Sequence, residues 1–327
     1  MLTRRRFLAT SIAGIIGTAD FPVASLAQSR DRVTRLVVGF PAGGAADLVA
    51  RRLAEALRGS YAATVIVENK PGASARLAVE TVKNAEPDGS TILFTPATML
   101  TLYPHVFSKL AYDPFRDFIP VTTICTFEFG LLVGPAAPVK SLGEFVDWCK
   151  ANPSKAAYGS PAAGSGAHFL GAMFARATGV NLLHVPYKGA TPAMQDILGG
   201  QIASYVGVMI DLLPNHRSGK ARILATSGRA RSKYLPDVPT FEEAGYQGVV
   251  AQEWYGLFAP RQTPVEAVNR LNKATLQALT NREVVAELDT LAFEPSGSSS
   301  AALAERMQIE YRNWAPIVQA TGFKVEE

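Results

Sequence analysis

Residues 37–57 read VVGFPAGGAADLVARRLAEAL and contain a complete strand–turn–helix transition. The apolar, β-branched run 35–40 predicts a buried strand, and 46–58 predicts a helix with Val49, Leu53, Ala56 and Leu57 on one face. Phe40, Pro41, Ala42, Gly43, Gly44 and Ala45 lie between, in a small-residue turn that opens directly into the helix. Glycine at such a turn lets a ligand approach the backbone closely. The first turn of a helix presents amide N–H groups without intrahelical partners, at the positive end of the macrodipole, so a carboxylate suits this position. A plain tight turn is the alternative that the glycine pair alone leaves open. Asp47 is expected to stabilise its own helix and not to act as a catalytic acid.

The same alternation continues outward. Strands are expected at 64–68, 91–95, 157–160, 182–185, 202–208 and 222–227, with helices at 75–84, 142–151, 166–178 and 191–198 between them. A strand-like run at 254–259 is followed by helices at 264–280 and 301–315. This is the α/β pattern of parallel sheets flanked by helices. No tandem repeat or low-complexity linker divides the chain, so two intimately joined lobes are expected. The apolar runs 121–133 and 249–259 are candidate hinge strands between them.

A second strand–loop–helix start lies at 158–169, YGSPAAGSGAHF, with Ser160, Pro161, Gly164, Ser165 and His168. Its serines add hydroxyls that donate to a carboxylate or accept from a ligand hydroxyl. Two such starts facing each other across a cleft would hold a dicarboxylate, or a carboxylate with a polar tail. Thr95, Pro96, Ala97 and Thr98 follow another strand end, where ligands of open parallel sheets gather. Arg76, at the start of the expected 75–84 helix, is the candidate cation for this site, with an ion pair to the ligand and a solvated helix surface as its two readings.

The chain has 327 residues, 48% of them hydrophobic and 18% charged, enough for a large core and two domains. Its formal charge is +4, of which residues 1–27, with three arginines and one aspartate, carry half. The near-neutral remainder gives no reason to expect nucleic-acid binding. Residues 1–27 combine Arg4, Arg5 and Arg6, an apolar run 7–16 and small residues before Gln28, which reads as a secretory signal of twin-arginine type. A membrane anchor is the competing reading, but the run is short for a bilayer. Cys125 and Cys149 are too few to define a disulfide framework, and buried free thiols are expected.

Catalytic signatures are missing: there is no G-x-S-x-G elbow, H-E-x-x-H, P-loop or G-x-G-x-x-G turn. His105, His168, His184 and His216 are scattered without metal-ligand spacing. Ser165 and His168 mimic a serine hydrolase dyad in spacing, but no third group is visible to orient the imidazole. The expectation is a protein that is not an enzyme and uses no cofactor or metal.

The segments 36–51 (LVVGFPAGGAADLVAR), 65–74 (VIVENKPGAS), 111–121 (AYDPFRDFIPV), 184–202 (HVPYKGATPAMQDILGGQI) and 235–246 (LPDVPTFEEAGY) resemble, in this order, the receptors of tripartite tricarboxylate transporters, the Bug family. The resemblance spans essentially the whole chain after the export signal. It implies a two-lobed fold of the periplasmic binding protein type (type II-like), with a discontinuous first lobe at 28–126 and 250–327 and a second at 127–249. It also implies a monomeric periplasmic receptor that closes on a small carboxylate through the loops 40–45, 95–98 and 160–168, and two integral membrane subunits as partners. An extracytoplasmic sensor of the same ligand is the alternative output. Two departures bear on specificity. Many relatives have a glycine-rich GAGGN where this chain has Gly72, Ala73, Ser74, Ala75 and Arg76, which puts a cation near the mouth. Many also carry aspartate and asparagine where this chain has Gly207 and Val208; an acid at that position would suit a ligand ammonium, and its absence there points towards plain organic or aromatic acids and away from amino acids.

Overall fold

The computed structural model describes residues 33–325, and the expected export signal lies outside them. The chain begins with β1 (Val33–Val38), α1 (Ala45–Leu57), β2 (Thr64–Asn69), α2 (Arg76–Lys83), β3 (Thr91–Pro96) and the short helices α3 (Thr98–Thr101) and α4 (Tyr103–Val106). A long strand β4 (Phe118–Val133) leads to α5 (Leu142–Ala151), β5 (Ala157–Ser160), α6 (Gly166–Thr178), β6 (Leu183–Pro186) and α7 (Ala190–Leu198). Then come β7 (Ser204–Val208), α8 (Met209–Arg217), β8 (Arg222–Thr226) and β9 (Gln252–Pro260). The chain closes with α9 (Val265–Ala278), α10 (Arg282–Thr290), β10 (Glu294–Pro295) and α11 (Ser300–Thr321).

Leu36, Val37 and Val38 are all fully buried, because helices cover both faces of their sheet. Leu36 and Val38 pack with Val49, Leu53 and Leu57 of α1, whereas Val37 packs with Ala78, Val79 and Val82 of α2 and Leu303 of α11. That two-sided burial explains why the strand reads as a continuous apolar run. The sheet order is β2-β1-β3-β9-β4-β7-β5-β6, with β8 and β10 also paired to β4. The outer pairs β1–β2, β1–β3, β5–β6 and β5–β7 are parallel, but β9 is antiparallel to β3 and to β4, and β4 is antiparallel to β7 and β8. The expected purely parallel sheets are therefore mixed, because the strands that carry the chain out and back run against their neighbours.

One strand serves both sheets. Phe118 to Glu128 of β4 pair with β9, and Phe129 to Val133 pair with β7 and β8. Buried Ser227 ties this crossing to the returning chain. The Phe129 amide donates to its Oγ (2.9 Å), its own amide donates to Phe129 O (2.9 Å), and the Ala251 amide donates to its carbonyl (3.0 Å). The two lobes are thus joined through hydrogen-bonded strands.

Several elements differ from expectation. α11 continues past 315 to Thr321 despite Pro316 inside it, and its far end packs on α6: Arg176 donates to Ala320 O (3.5 Å), and Phe323 meets the His168 ring edge-on. The helices α3, α4, α8 and α10 were not legible. α2 is entered through Ala73, Ser74 and Ala75 at φ 46°, 54° and 71°. Left-handed backbone costs roughly 1–2 kcal/mol at each such residue. The turn closes over Gly39, where a side chain would meet Ala75 Cβ at 2.6 Å. Cys125 and Cys149 are free and buried.

Candidate functional site

A cavity of about 460 Å³ opens at the carboxyl ends of β1, β3, β5, β6 and β7, between the two sheets. Of the residues expected to bind ligand, it is lined by Phe40, Pro41, Ala42, Gly43, Gly44, Ala45, Pro96, Thr98, Pro161 and Ser165. The two small-residue loops therefore meet at one space, as the sequence pattern anticipated.

The α1 start is open. Gly43 adopts φ +81°, and Gly44 caps the helix with no side-chain hydrogen bond. Asp47 accepts from the Gly43 amide (2.8 Å), Arg51 Nε (2.8 Å) and Asn69 Nδ2 (2.9 Å). Burial opposes the Asp47 charge, but these donors outweigh it and hold the carboxyl below its usual range. Asp47 is thus spent on shaping the turn, as expected. The first helical turn after Gly43 lines the cavity and has no capping side chain.

The α6 start is largely satisfied by the protein itself. Ser165 Oγ donates to Ala162 O (2.8 Å) and accepts from the His168 amide (3.2 Å), while His168 Nδ1 accepts from the Gly164 amide (3.1 Å). The imidazole therefore does not face the Ser165 hydroxyl, and the dyad geometry is absent. His168 is buried, stacked 3.7 Å from the His184 ring, and burial pushes its pKa down to about 3. Ser160 is fully buried, with its Oγ donating to Ala162 O (3.0 Å) and meeting His184 Nε2 (2.8 Å).

Other expected contacts also fall outside the cavity lining. Arg76 is buried: its Nε donates to Ala73 O (2.9 Å) and its guanidinium lies 4.0 Å over the Phe107 ring, so its charge serves the strained turn. Thr95 is buried in β3, and the Ala97 amide donates to Trp254 O (3.0 Å). Gly164 packs on Val106. Gly207 pairs with Gly130 in the sheet, and a side chain there would strike the Tyr205 ring at 2.3 Å, so it is glycine for packing.

The remaining lining residues escaped the sequence reading. Lys188, Gly189, Ala190 and Thr191 bring a further helix start, α7, to the cavity; Gly189 sits at φ 93° with no side-chain cap. Its Lys-Gly-Ala-Thr-Pro run after a strand is the same local signal as the first loop. Phe127, Phe129, Tyr255 and Met99 form an apolar floor. Two acids also line the cavity, Asp211 in the first turn of α8 and Glu253 on β9. The expected acid-free position at Gly207 and Val208 does not leave the cavity without acids, because one comes four residues on, at Asp211, after the strand has turned into α8. Burial pushes both carboxyls up to about 7. In Glu253 the Thr98 amide (3.0 Å) and hydroxyl both donate to Oε1 and act in the opposite direction. An isolated acid inside the apolar run 249–260 is the one local signal that could have pointed to Glu253.

The family described as tripartite tricarboxylate transporter family receptor matches residues 49–323. The chain is 31% identical to Protein BugT of Bordetella pertussis, covering 98% of this chain and 96% of that protein. Among solved structures, Rpa4515 of R. palustris with adipate is similar at TM-score 0.86 and 29% identity, covering 90% of this chain and 99% of that one. MatC from Rhodopseudomonas palustris with bound malate is similar at TM-score 0.81 and 30% identity, covering 91% and 100%. The fold is that of a two-lobed periplasmic binding protein, a solute-binding class, and no helix among the described residues is long and apolar enough to cross a membrane. A chain with this order of loops, this cavity between two sheets and a family match over most of its length belongs to the tripartite tricarboxylate transporter family receptors.

Proposed function

We propose that this protein is a periplasmic receptor that closes its two lobes on a small carboxylate and presents it to the two integral membrane subunits of an ion-gradient-driven tripartite transporter. In this reading residues 28–126 and 250–327 form one lobe and 127–249 the other, with β4 and the return into β9 as the hinge. The observation that carries it is the pair of uncapped helix starts, α1 and α7, at one cavity with Lys188 on its rim. Neutral amide donors and the positive ends of helix dipoles hold a carboxylate without a matching buried cation. The adipate and malate bound by the two similar structures support that ligand class.

Two of the lining hydroxyls support retention rather than turnover. Ser165 and Thr98 are both committed, to the α6 cap and to Glu253. Native mass spectrometry of the purified protein, followed by thermal melts with small organic acids, tests the reading. A bound acid raises the melting temperature by mass action and compacts the protein in solution scattering. Failure of every acid to shift the melt, with no ligand carried through purification, would remove the receptor assignment.

A further inference from the structure

We infer that Glu253, with Asp211, makes this cleft select acids whose far end is a hydrogen-bond-donating cation, an amino-substituted carboxylic acid, over dicarboxylates. The inference rests on the carboxylate-receptor reading and adds the other end of the ligand. Glu253 is 8% exposed, and its Oε1 takes both donors of Thr98, which leaves Oε2 without a hydrogen-bond partner among the described residues. That oxygen lies beside the start of α6, where a methyl on Gly166 would come within 2.9 Å of it. The protein thus places its own carboxylate at the second helix start, the position a second ligand carboxylate would need. Asp211 lines the same cavity and has no hydrogen-bond partner among the described residues.

The charges of the lining divide accordingly. Lys188 and the open starts of α1 and α7 favour an anion, whereas Asp211 and Glu253, which line the same cavity, favour a cation. A dicarboxylate would bring its second charge against two acids, and both would have to be protonated to admit it. An ammonium at that end pairs with them instead and completes their hydrogen bonding.

The groups facing these acids do not supply the missing cation. Glu253 faces Thr98 from α3, Tyr103 from α4, the Gly166 backbone from α6, and Glu310 of α11, whose carboxylate is held by Trp254 Nε1 and Arg306. The Asp211 charge acts on the hydroxyls of Tyr205 of β7 and Tyr255 of β9, and both are pushed up chiefly by burial. Both carboxyls stand near 7, so binding of an amino acid strengthens as pH rises through about 7, and dicarboxylate binding weakens over the same interval.

Calorimetric titration of the purified protein, stripped of carried-over ligand, tests this with probes matched in length: γ-aminobutyrate against succinate, ε-aminocaproate against adipate, and caproate as the shared apolar acid. At pH about 8 each amino acid is expected to bind at least about tenfold more tightly than its dicarboxylate, and Glu253→Gln and Asp211→Asn each to narrow that ratio. Glutamine keeps an acceptor for Thr98, and Asp211→Asn reads the effect independently if Glu253→Gln does not fold. Dicarboxylates that bind as tightly as the amino acids, or a preference untouched by either variant, overturn the inference while leaving the receptor reading intact. No binding of any probe, caproate included, takes down the receptor reading and this inference with it.

Discussion

The loops PAGGAAD and PAAGSGAH begin alike, each follows a parallel strand, and each opens a helix at the same cavity. They end in opposite conditions. At α1 the cap residue is Gly44, the side chains of the turn are small, and the nearby acid, Asp47, is tied down by Arg51 and Asn69. At α6 Ser165 caps its own helix, the His168 ring takes the Gly164 amide, and Glu253 arrives from β9 to stand beside Gly166. The first start carries no capping side chain; the second is capped by the protein's own groups. Local sequence reports that a helix begins, and the groups packed on it from elsewhere in the chain decide whether its amides are free.

The sharpest way to break this contrast is to fill the open start. Gly44 has φ −79°, which any residue adopts, and a Cβ there would touch Pro41 O at 3.4 Å, so Gly44→Leu folds but projects into the cavity. Affinity for the cognate acid is expected to fall on the order of a hundredfold, with the melting temperature of the free protein little changed. Unchanged affinity by calorimetry would take the α1 loop out of the site. Gly43, at φ +81°, is the poorer choice, because backbone strain would confuse the result.

The next effect tests whether the acidic side of the cavity is maintained at a cost. The Asp211 carboxyl keeps its proton up to about 7 in the folded protein, against an ordinary value of 3.8. The native state therefore loses stability relative to the unfolded chain as pH rises from the lower value to the higher. Asp211→Asn escapes that loss and is expected to be more stable by on the order of 2 kcal/mol above pH about 7, and no different near pH about 4. Urea unfolding at both pH values measures it. Equal stability of the two proteins at the higher pH would mean that Asp211 has a partner in solution.

At the self-furnished start the expectation reverses. Ser165→Ala removes a cap, costs about 1 kcal/mol of stability, and changes ligand affinity by less than about threefold. Lost binding with unaltered stability would show instead that the α6 amides hold the ligand. Smallest of all is Arg51→Ala at the open start. The arginine side chain is half exposed and Asp47 keeps its bonds to Gly43 and Asn69, so the loss should not exceed about 0.5 kcal/mol in thermal melts. A larger loss would make Arg51 the anchor of the turn.

Much of the lobe architecture was legible because it rests on local pattern. Leu36 to Val38, the glycines of the first loop, and the apolar faces of α1 and α6 announce themselves through burial periodicity and turn chemistry. Helices interrupted by proline, such as α8 with Pro214 and α11 with Pro316, were missed or cut short because propensity argues against them and only tertiary packing overrides it. Within the site, the 40–45 loop was found from its own residues. Glu253 was not, since nothing near it in sequence shows that Thr98, 155 positions away, would hold it.

From sequence alone came the alternation of strands and helices, the small-residue loops that open into helices, and the family resemblance: all are short-range properties, written in neighbours a few residues apart. Tertiary structure alone decided that β4 and β9 run against the parallel strands, that Arg76 turns inward to Phe107, and that two acids line the same cavity as the open helix starts. Charge in a cleft is set by which distant segments share the same few ångströms of desolvated space, and that proximity exists only once the chain has folded.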